Sequence, residues 1–473
     1  MRGESFRAAP ASSVAEAPGA VAKPASSSLT PIRTGATLRA PMPRLPSFET
    51  DCVILVDGEP VPARRGEPVA TALLAAGRPL IARSMKYHRP RGAFCLAGSC
   101  TSCLVRADGL PSQRACRTPC RDGLVVETQN ALPTAGHDLL GVIDAVYAEG
   151  LDHHHLMTWN PIANRAATAV SRRLAGVGTV PSPAAAWRER QAEPVREEVW
   201  DALVVGAGPA GLGAAETLAA GGLRVLVAET GPRAGGRLRC RYPIPGEPDL
   251  AWASRAADAV PAAGGEVATG AAVFGLWRDG GSVLAGIAVD GPPRRLRLVR
   301  PARLVLCPGG QAVPPAIPGN DRPGLASARG LAVALAEHGV VPGERAAVLG
   351  DGPEAEAIAA LLAGAGLPVE RAAAHGGVRV VGRGRVRGLA VEGRGRVRCD
   401  VVAVATPPVP ATDLARALGA GVRWDAALEA FAVAAGADGA TGVPGLWVAG
   451  EATGAASAAE ALEAGRRAGR AAR

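Results

Sequence analysis

The chain has 473 residues, 48% hydrophobic and 20% charged, which is room for two or three domains, each with its own core. It carries 61 glycines, 40 prolines and only 3% aromatic residues, and its net charge of +9 comes almost wholly from arginine, since Lys23 and Lys86 are its only lysines. The arginines are dispersed and no basic run is interleaved with stacking aromatics, which argues against nucleic-acid binding, and no stretch approaches the ~20 apolar residues of a membrane span.

Residues 1 to 48 are rich in Ala, Ser and Pro without a hydrophobic period and read as a disordered tail. Six basic residues (Arg2, Arg7, Lys23, Arg33, Arg39, Arg44) against Glu4 and Glu16 keep an organelle transit peptide open as an alternative. Without a signal-peptide pattern, the cytoplasm is the expected compartment. From Cys52 the alternation Val53–Ile54–Leu55–Val56, the turn pair Asp57–Gly58 and the run Val61–Pro62–Ala63 predict a hairpin. A helix over 69–76, closed by Gly77, follows. Hairpin, helix and cysteine loop come in the order of a ferredoxin-like β-grasp, placed at 49–130.

Five of the nine cysteines lie between Cys95 and Cys120, a clustering that means metal in a reducing compartment. Cys95, Cys100, Cys103 and Cys116 are separated by four, two and twelve residues, and C-x4-C-x2-C is the plant-type 2Fe-2S spacing. The intervening Ala97, Gly98, Ser99, Thr101 and Ser102 are small and leave backbone N–H groups free to bond the sulfurs. Cys120 is an alternative fourth ligand, and a structural zinc site is the rival reading, weakened by there being a single C-x2-C unit.

A helix is expected around Leu139–Ala148, inside a helical linker assigned to 131–198 that carries Pro181, Pro183 and Pro194. His153–His154–His155 reads as structural, because consecutive side chains point in different directions. At Trp200 the texture changes to α/β. The strand Ala202–Val205 runs into Gly206–Ala207–Gly208–Pro209–Ala210–Gly211 and a helix, and the next strand, from Arg224, ends at Glu229. Gly206 permits the turn, Gly208 admits a pyrophosphate, Gly211 allows close helix–strand packing, and Glu229 is placed to accept from a ribose. The second glycine step, Gly235–Gly236–Arg237, and the terminal Gly450–Glu451 favour FAD over NAD. We expect an FAD-binding domain in two parts, 199–335 and 436–473, around a reduced NAD-like domain at 336–435. Its glycine unit, Gly350–Asp351–Gly352–Pro353–Glu354, is followed by little more than a helix and one strand before Val380, and reads as a structural remnant rather than an NAD(P) site.

The stretch Arg83–Ser84–Met85–Lys86–Tyr87–His88–Arg89–Pro90–Arg91–Gly92, the cysteine loop, Arg114–Ala115–Cys116–Arg117–Thr118–Pro119, Met157–Thr158–Trp159–Asn160 and the glycine unit at 206 together resemble the α-subunit family of heteromeric sarcosine oxidase. That family includes subunits of hydrogen cyanide synthase, opine oxidase and dye-linked proline dehydrogenase. The resemblance implies a β-grasp 2Fe-2S module fused to a two-dinucleotide-domain, Rossmann-like α/β flavoprotein. It implies that Leu304–Val305–Leu306–Cys307–Pro308–Gly309–Gly310 is the strand returning from the FAD domain, with Gly309 at the cofactor. Gly450–Glu451 stands for a Gly–Asp pair whose carboxylate bonds the flavin ribityl chain. It also implies a separate substrate-oxidising flavoprotein β subunit and a small amine or amino-acid substrate. The folate-type domain of full-length members is not found before Arg473, and no C-x-x-C lies near the flavin, which excludes disulfide reduction. No catalytic acid, base or nucleophile is recognisable. The rival functions are a stand-alone NAD(P)H-dependent flavin reductase that passes electrons to its own cluster, and a non-catalytic assembly subunit.

Overall fold

The computed structural model describes residues 44–85, 87–146, 160–174, 195, 197–291, 294–374 and 377–473, and residues 40–473 belong to one compact unit. The transit-peptide region, the His153–His155 run, Trp159 and the linker prolines lie outside the described residues.

The first module holds β1 (Cys52–Val56), β2 (Glu59–Ala63), α1 (Val69–Ala75), the short pair β3 (Ala82–Arg83) and β4 (Pro90–Arg91), then β5 (Leu104–Ala107), β6 (Leu110–Arg114) and β7 (Val125–Thr128). Five strands form one sheet in the order β2-β1-β7-β5-β6. The hairpin turns at Asp57 (φ 51°) and Gly58 (φ 84°), both left-handed, as a two-residue turn with right-handed strand twist demands. Cys52, Ile54 and Val56 face inward and Val53 and Leu55 outward, the alternation expected of a half-buried strand. α1 ends in paired return bonds, Gly77 N to Leu74 O and Arg78 N to Leu73 O, with Gly77 at φ 71°. Beyond the module come α2 (Val142–Val146) and α3 (Pro161–Leu174). Residues 44–48, expected to be disordered, join the body. Arg44 donates to both oxygens of buried Glu67 at 2.8 and 3.0 Å and to His338 O, a specific tie that composition alone does not reveal.

The second module opens with β8 (Glu197–Val205), α4 (Pro209–Ala220), β9 (Val225–Glu229), α5 (Leu250–Ala262), β10 (Glu266–Thr269), β11 (Ala271–Asp279), β12 (Ser282–Val289) and β13 (Arg295–Leu306). They make a sheet of order β10-β9-β8-β13-β12-β11, with β25 (Leu446–Val448) added in parallel beside β13. The parallel part is buried on both faces, so Ala202–Val205 is a continuous apolar run. The short strand β14 (Gly310–Gln311) leads into a second α/β unit. Its strands are β15 (Leu325–Ser327), β16 (Ala346–Leu349), β17 (Val369–Ala372), β18 (Val378–Val381), β19 (Gly388–Val391), β20 (Gly395–Val397) and β21 (Val401–Val404), with helices α6 (Ala328–His338) and α7 (Pro353–Gly364). A parallel sheet β15-β21-β16-β17 carries an antiparallel meander β18-β19-β20. The unit is therefore fuller than the sequence pattern suggests, because its three- and four-residue strands leave little periodic signal.

The chain then returns through β22 (Val409–Pro410), which pairs with β14, the short α8 (Asp413–Ala417) and the hairpin β23 (Val422–Asp425)–β24 (Ala430–Val433). Ala415, Leu418 and Val433 pack into the core shared with Leu203, Leu226 and Leu304, so this returning segment packs with the first dinucleotide unit. α9 (Ala458–Ala471) closes the fold against α4. There the Cβ absent from Gly465 would stand 1.9 Å from Ala210 O.

Candidate functional site

The cysteine loop shapes the first site. Leu96 (φ 52°) and Gly98 (φ 85°) turn the chain so that the backbone N–H groups of Ala97 and Cys100 both donate to Cys95 Sγ at 3.4 Å. The Cys95 sulfur lies within hydrogen-bonding reach of Cys100 and Cys116, and Cys103 lies within reach of Cys116. Donation from the Cys100 and Cys116 thiols holds Cys95 far below the usual thiol range, although burial opposes it. Among the described residues no three His, Cys, Asp or Glu donors surround one common ion position. The four sulfurs adjoin one another, Cys95 reaching both Cys100 and Cys116 and Cys103 reaching Cys116, and their sequence spacing is that of a 2Fe-2S centre. All nine cysteines are free thiols. Cys120 lies apart, its thiol pushed up by burial and by the neighbouring Glu67 and Cys52 charges rather than by the loop cysteines.

Two anchors seat this loop on the rest of the chain. Ser327 N donates to Phe94 O at 2.9 Å, and a Cβ on Gly330 would stand 2.6 Å from Cys95 O. Arg117, next to Cys116, packs on Gly98, donates to Thr230 O and pairs with Asp290 at 2.8 Å. His88 is buried, with Nδ1 3.0 Å from Asp138 Oδ2 and Nε2 unpartnered, so it braces the module rather than facing solvent.

The second site is the glycine cradle between β8 and α4. Gly206 has φ 97°, and a Cβ there would lie 2.2 Å from Cys307 O. A Cβ on Gly211 would lie 1.8 Å from Gly206 O, and one on Gly236 would lie 2.7 Å from Gly208 Cα. Pro209 begins α4, where its missing N–H costs nothing, and Ala210 is buried against α9. Gly235, at φ 117°, donates from its N–H to Ala207 O. Glu229 accepts from Ala207 N at 2.7 Å and Gly231 N at 2.5 Å, which fixes a carboxylate at the end of β9. A helix N-terminus above a bare backbone floor and a terminal carboxylate fit the ADP half of FAD.

At the other end of the cradle four side chains assemble that the sequence does not flag as a group. Glu451 accepts from Gly310 N at 2.9 Å, from Arg329 at 2.8 and 3.1 Å, and from Arg237 at 3.3 Å. Arg329 also grips Glu354 at 2.6 and 3.0 Å, and Arg237 reaches Glu354 at 2.5 Å. Their side chains are only 7–21% exposed. Burial alone would raise the Glu451 carboxyl, but Arg329 and Arg237 outweigh it and hold it below the usual carboxylate range. Glu451 was expected to reach the ribityl chain, and here its oxygens are taken by two arginines and a backbone N–H. Gly309 (φ 73°) and Gly450 (φ 82°) flank it. Arg329 and Glu354 escape the sequence pattern because each sits on an Ala-rich helix and its partner lies on another element. A cavity of about 610 Å³ opens beside this group, lined by Arg237, Arg241, Tyr242, Glu247 and Leu250.

Residues 50–131 match the family described as 2Fe-2S iron-sulfur cluster binding domain, and 200–381 match pyridine nucleotide-disulphide oxidoreductase. Sarcosine oxidase subunit alpha of Rhizobium meliloti is 31% identical over 338 residues, 66% of this chain and 33% of that protein. Hydrogen cyanide synthase subunit HcnA of Pseudomonas aeruginosa is 42% identical over 85 residues, 18% of this chain and 81% of that protein. The solved L-proline dehydrogenase from P. horikoshii shares the fold, with a TM-score of 0.67 at 18% identity, over 88% of this chain and 72% of that one. The chain thus spans about a third of the length of the sarcosine oxidase α subunit it matches. Its N-terminal module is a 2Fe-2S domain, and the remainder has the fold of an FAD-dependent oxidoreductase. No described helix is long and apolar enough to cross a membrane.

Proposed function

The chain belongs to the sarcosine oxidase α-subunit family, which also takes in hydrogen cyanide synthase and opine oxidase subunits, and from that footing we propose that it relays electrons during oxidation of a small amine or amino acid. The carrying observation is that one compact unit holds four adjoining thiols and a dinucleotide cradle, with the thiol loop seated on the second unit at Ser327 and Gly330. FAD supplies two-electron chemistry when bound, and a 2Fe-2S centre supplies one-electron steps. In this reading Cys95, Cys100, Cys103 and Cys116 hold the cluster. Gly206, Gly208, Pro209, Ala210, Gly211, Glu229, Gly235 and Gly236 receive the dinucleotide. Arg237, Gly309, Gly450 and Glu451 close the cradle's far end.

The relatives are subunits of oxidases, and on that analogy substrate oxidation falls to a separate flavoprotein β subunit, with this chain as the α-type subunit of a heteromeric dehydrogenase or oxidase in the cytoplasm. The test is anaerobic reduction followed by visible spectroscopy. Purified alone, the chain is expected to stay oxidised with sarcosine, glycine, proline or an opine, and to become reduced once the partner subunit is added. Direct reduction of the isolated chain by one of these amines would overturn the relay reading.

A further inference from the structure

The second unit repeats the first cradle in backbone register. Gly206 N donates to Ala228 O at 2.8 Å where β8 meets β9, and Gly350 N donates to Ala372 O at 2.9 Å where β16 meets β17. Gly206 would collide through a Cβ with Cys307 O at 2.2 Å, and Gly350 with Ala405 O at 2.5 Å. Each cradle then starts its helix with proline, Pro209 or Pro353. The strand, turn and proline helix start are shared, but the cradles part at Gly208 (φ -79°) against Gly352 (φ 84°) and at Gly211 against Ala355.

The side chains differ at the two positions that recognise a dinucleotide. The shared register makes Ala373 the counterpart of Glu229, so the position that should accept from a ribose carries a methyl group. At the helix N-terminus, where phosphates gather, the first turn of α4 has no acid, whereas that of α7 carries Glu354 and Glu356. Glu354 is turned inward and bonded to Arg329 of its own unit and Arg237 of the first. It complements the helix dipole itself, and an incoming pyrophosphate would meet its charge together with those of Glu356 and the exposed Asp351.

We propose that Glu354 is a specificity-determining residue that turns the second cradle into a latch between the two units and bars nicotinamide dinucleotides from it. Its functional consequence rests on the relay reading: electrons enter from a partner subunit, not from NAD(P)H. The structural claim stands on the contacts of Glu354 with Arg329 and Arg237, independently of that reading.

The test is calorimetric titration of the full chain with NADH and with NADPH, under saturating FAD so that the first cradle is filled. Wild type is expected to show no saturable binding up to about 1 mM, the top of the usual cofactor range. The Glu354→Ala/Ala373→Glu variant, which restores the side chains of Ala210 and Glu229 at their counterparts, is expected to bind at least about tenfold more tightly. Should that variant fail to fold by circular dichroism, Glu354→Gln decides the matter, since it keeps volume and removes only charge, and it is expected to gain weaker binding. Saturable binding by wild type would overturn the proposal, as would folded variants that remain blind to both nucleotides. Neither result depends on whether the chain serves an amine-oxidising partner, which the reduction experiment tests separately.

Discussion

Replacing Arg329 by methionine removes the centre of the buried four-charge group while keeping most of its volume. The variant loses four hydrogen bonds, two to Glu354 and two to Glu451, and leaves both carboxylates sharing Arg237. Breaking a buried pair from one side costs about 3–5 kcal/mol. Arg329 is 21% exposed and Arg237 remains, which places this case near ~3 kcal/mol. Scaled for a body of this size, that is a fall of roughly 3 °C in melting temperature at pH 7. The Glu451 carboxyl is depressed in the folded state, so its pairing stabilises above the unfolded carboxyl's range and is lost as pH falls through the folded value. The gap between wild type and variant should therefore be full at neutral pH and close as both are acidified toward pH ~3. Scanning calorimetry across that range reads it directly. A deficit under ~1 °C at pH 7, or one that persists unchanged in acid, would refute the reasoning.

Cys116→Ser should abolish the 2Fe-2S absorbance while Cys120→Ser retains it, as iron and sulfide assays would check, because Cys120 lies apart from the loop thiols. Gly211→Ala places a methyl group 1.8 Å from Gly206 O and should release FAD on gel filtration with the cluster spectrum intact. Burial lowers His338 to about 4, so the unfolded chain takes up its proton first and stability should fall between pH ~6.5 and ~4; His338→Gln should flatten that slope by up to ~3 kcal/mol in denaturant titrations.

The hairpin at Asp57–Gly58, the cysteine spacing and the cradle at Gly206 were legible because each is local, with turn, loop or helix start enforced by backbone geometry over a few residues. Arg329 and Glu354 were not, since 25 residues and one strand separate partners that only the fold brings together. The extent of the second unit was hidden for another reason. Strands such as Gly395–Val397 are too short to show a period, and their Gly and Arg content resembles loop. The Arg44–Glu67 tie was lost in a tail whose composition otherwise argues against structure.

The most direct test of the central claim is to purify the chain anaerobically and measure iron, acid-labile sulfide and FAD beside the visible spectrum, for wild type and Cys100→Ser. The account predicts an iron–sulfur centre together with flavin in wild type, and a variant that keeps its flavin and loses the iron–sulfur bands. A wild-type chain free of both, or a variant with an undiminished iron–sulfur spectrum, would contradict it.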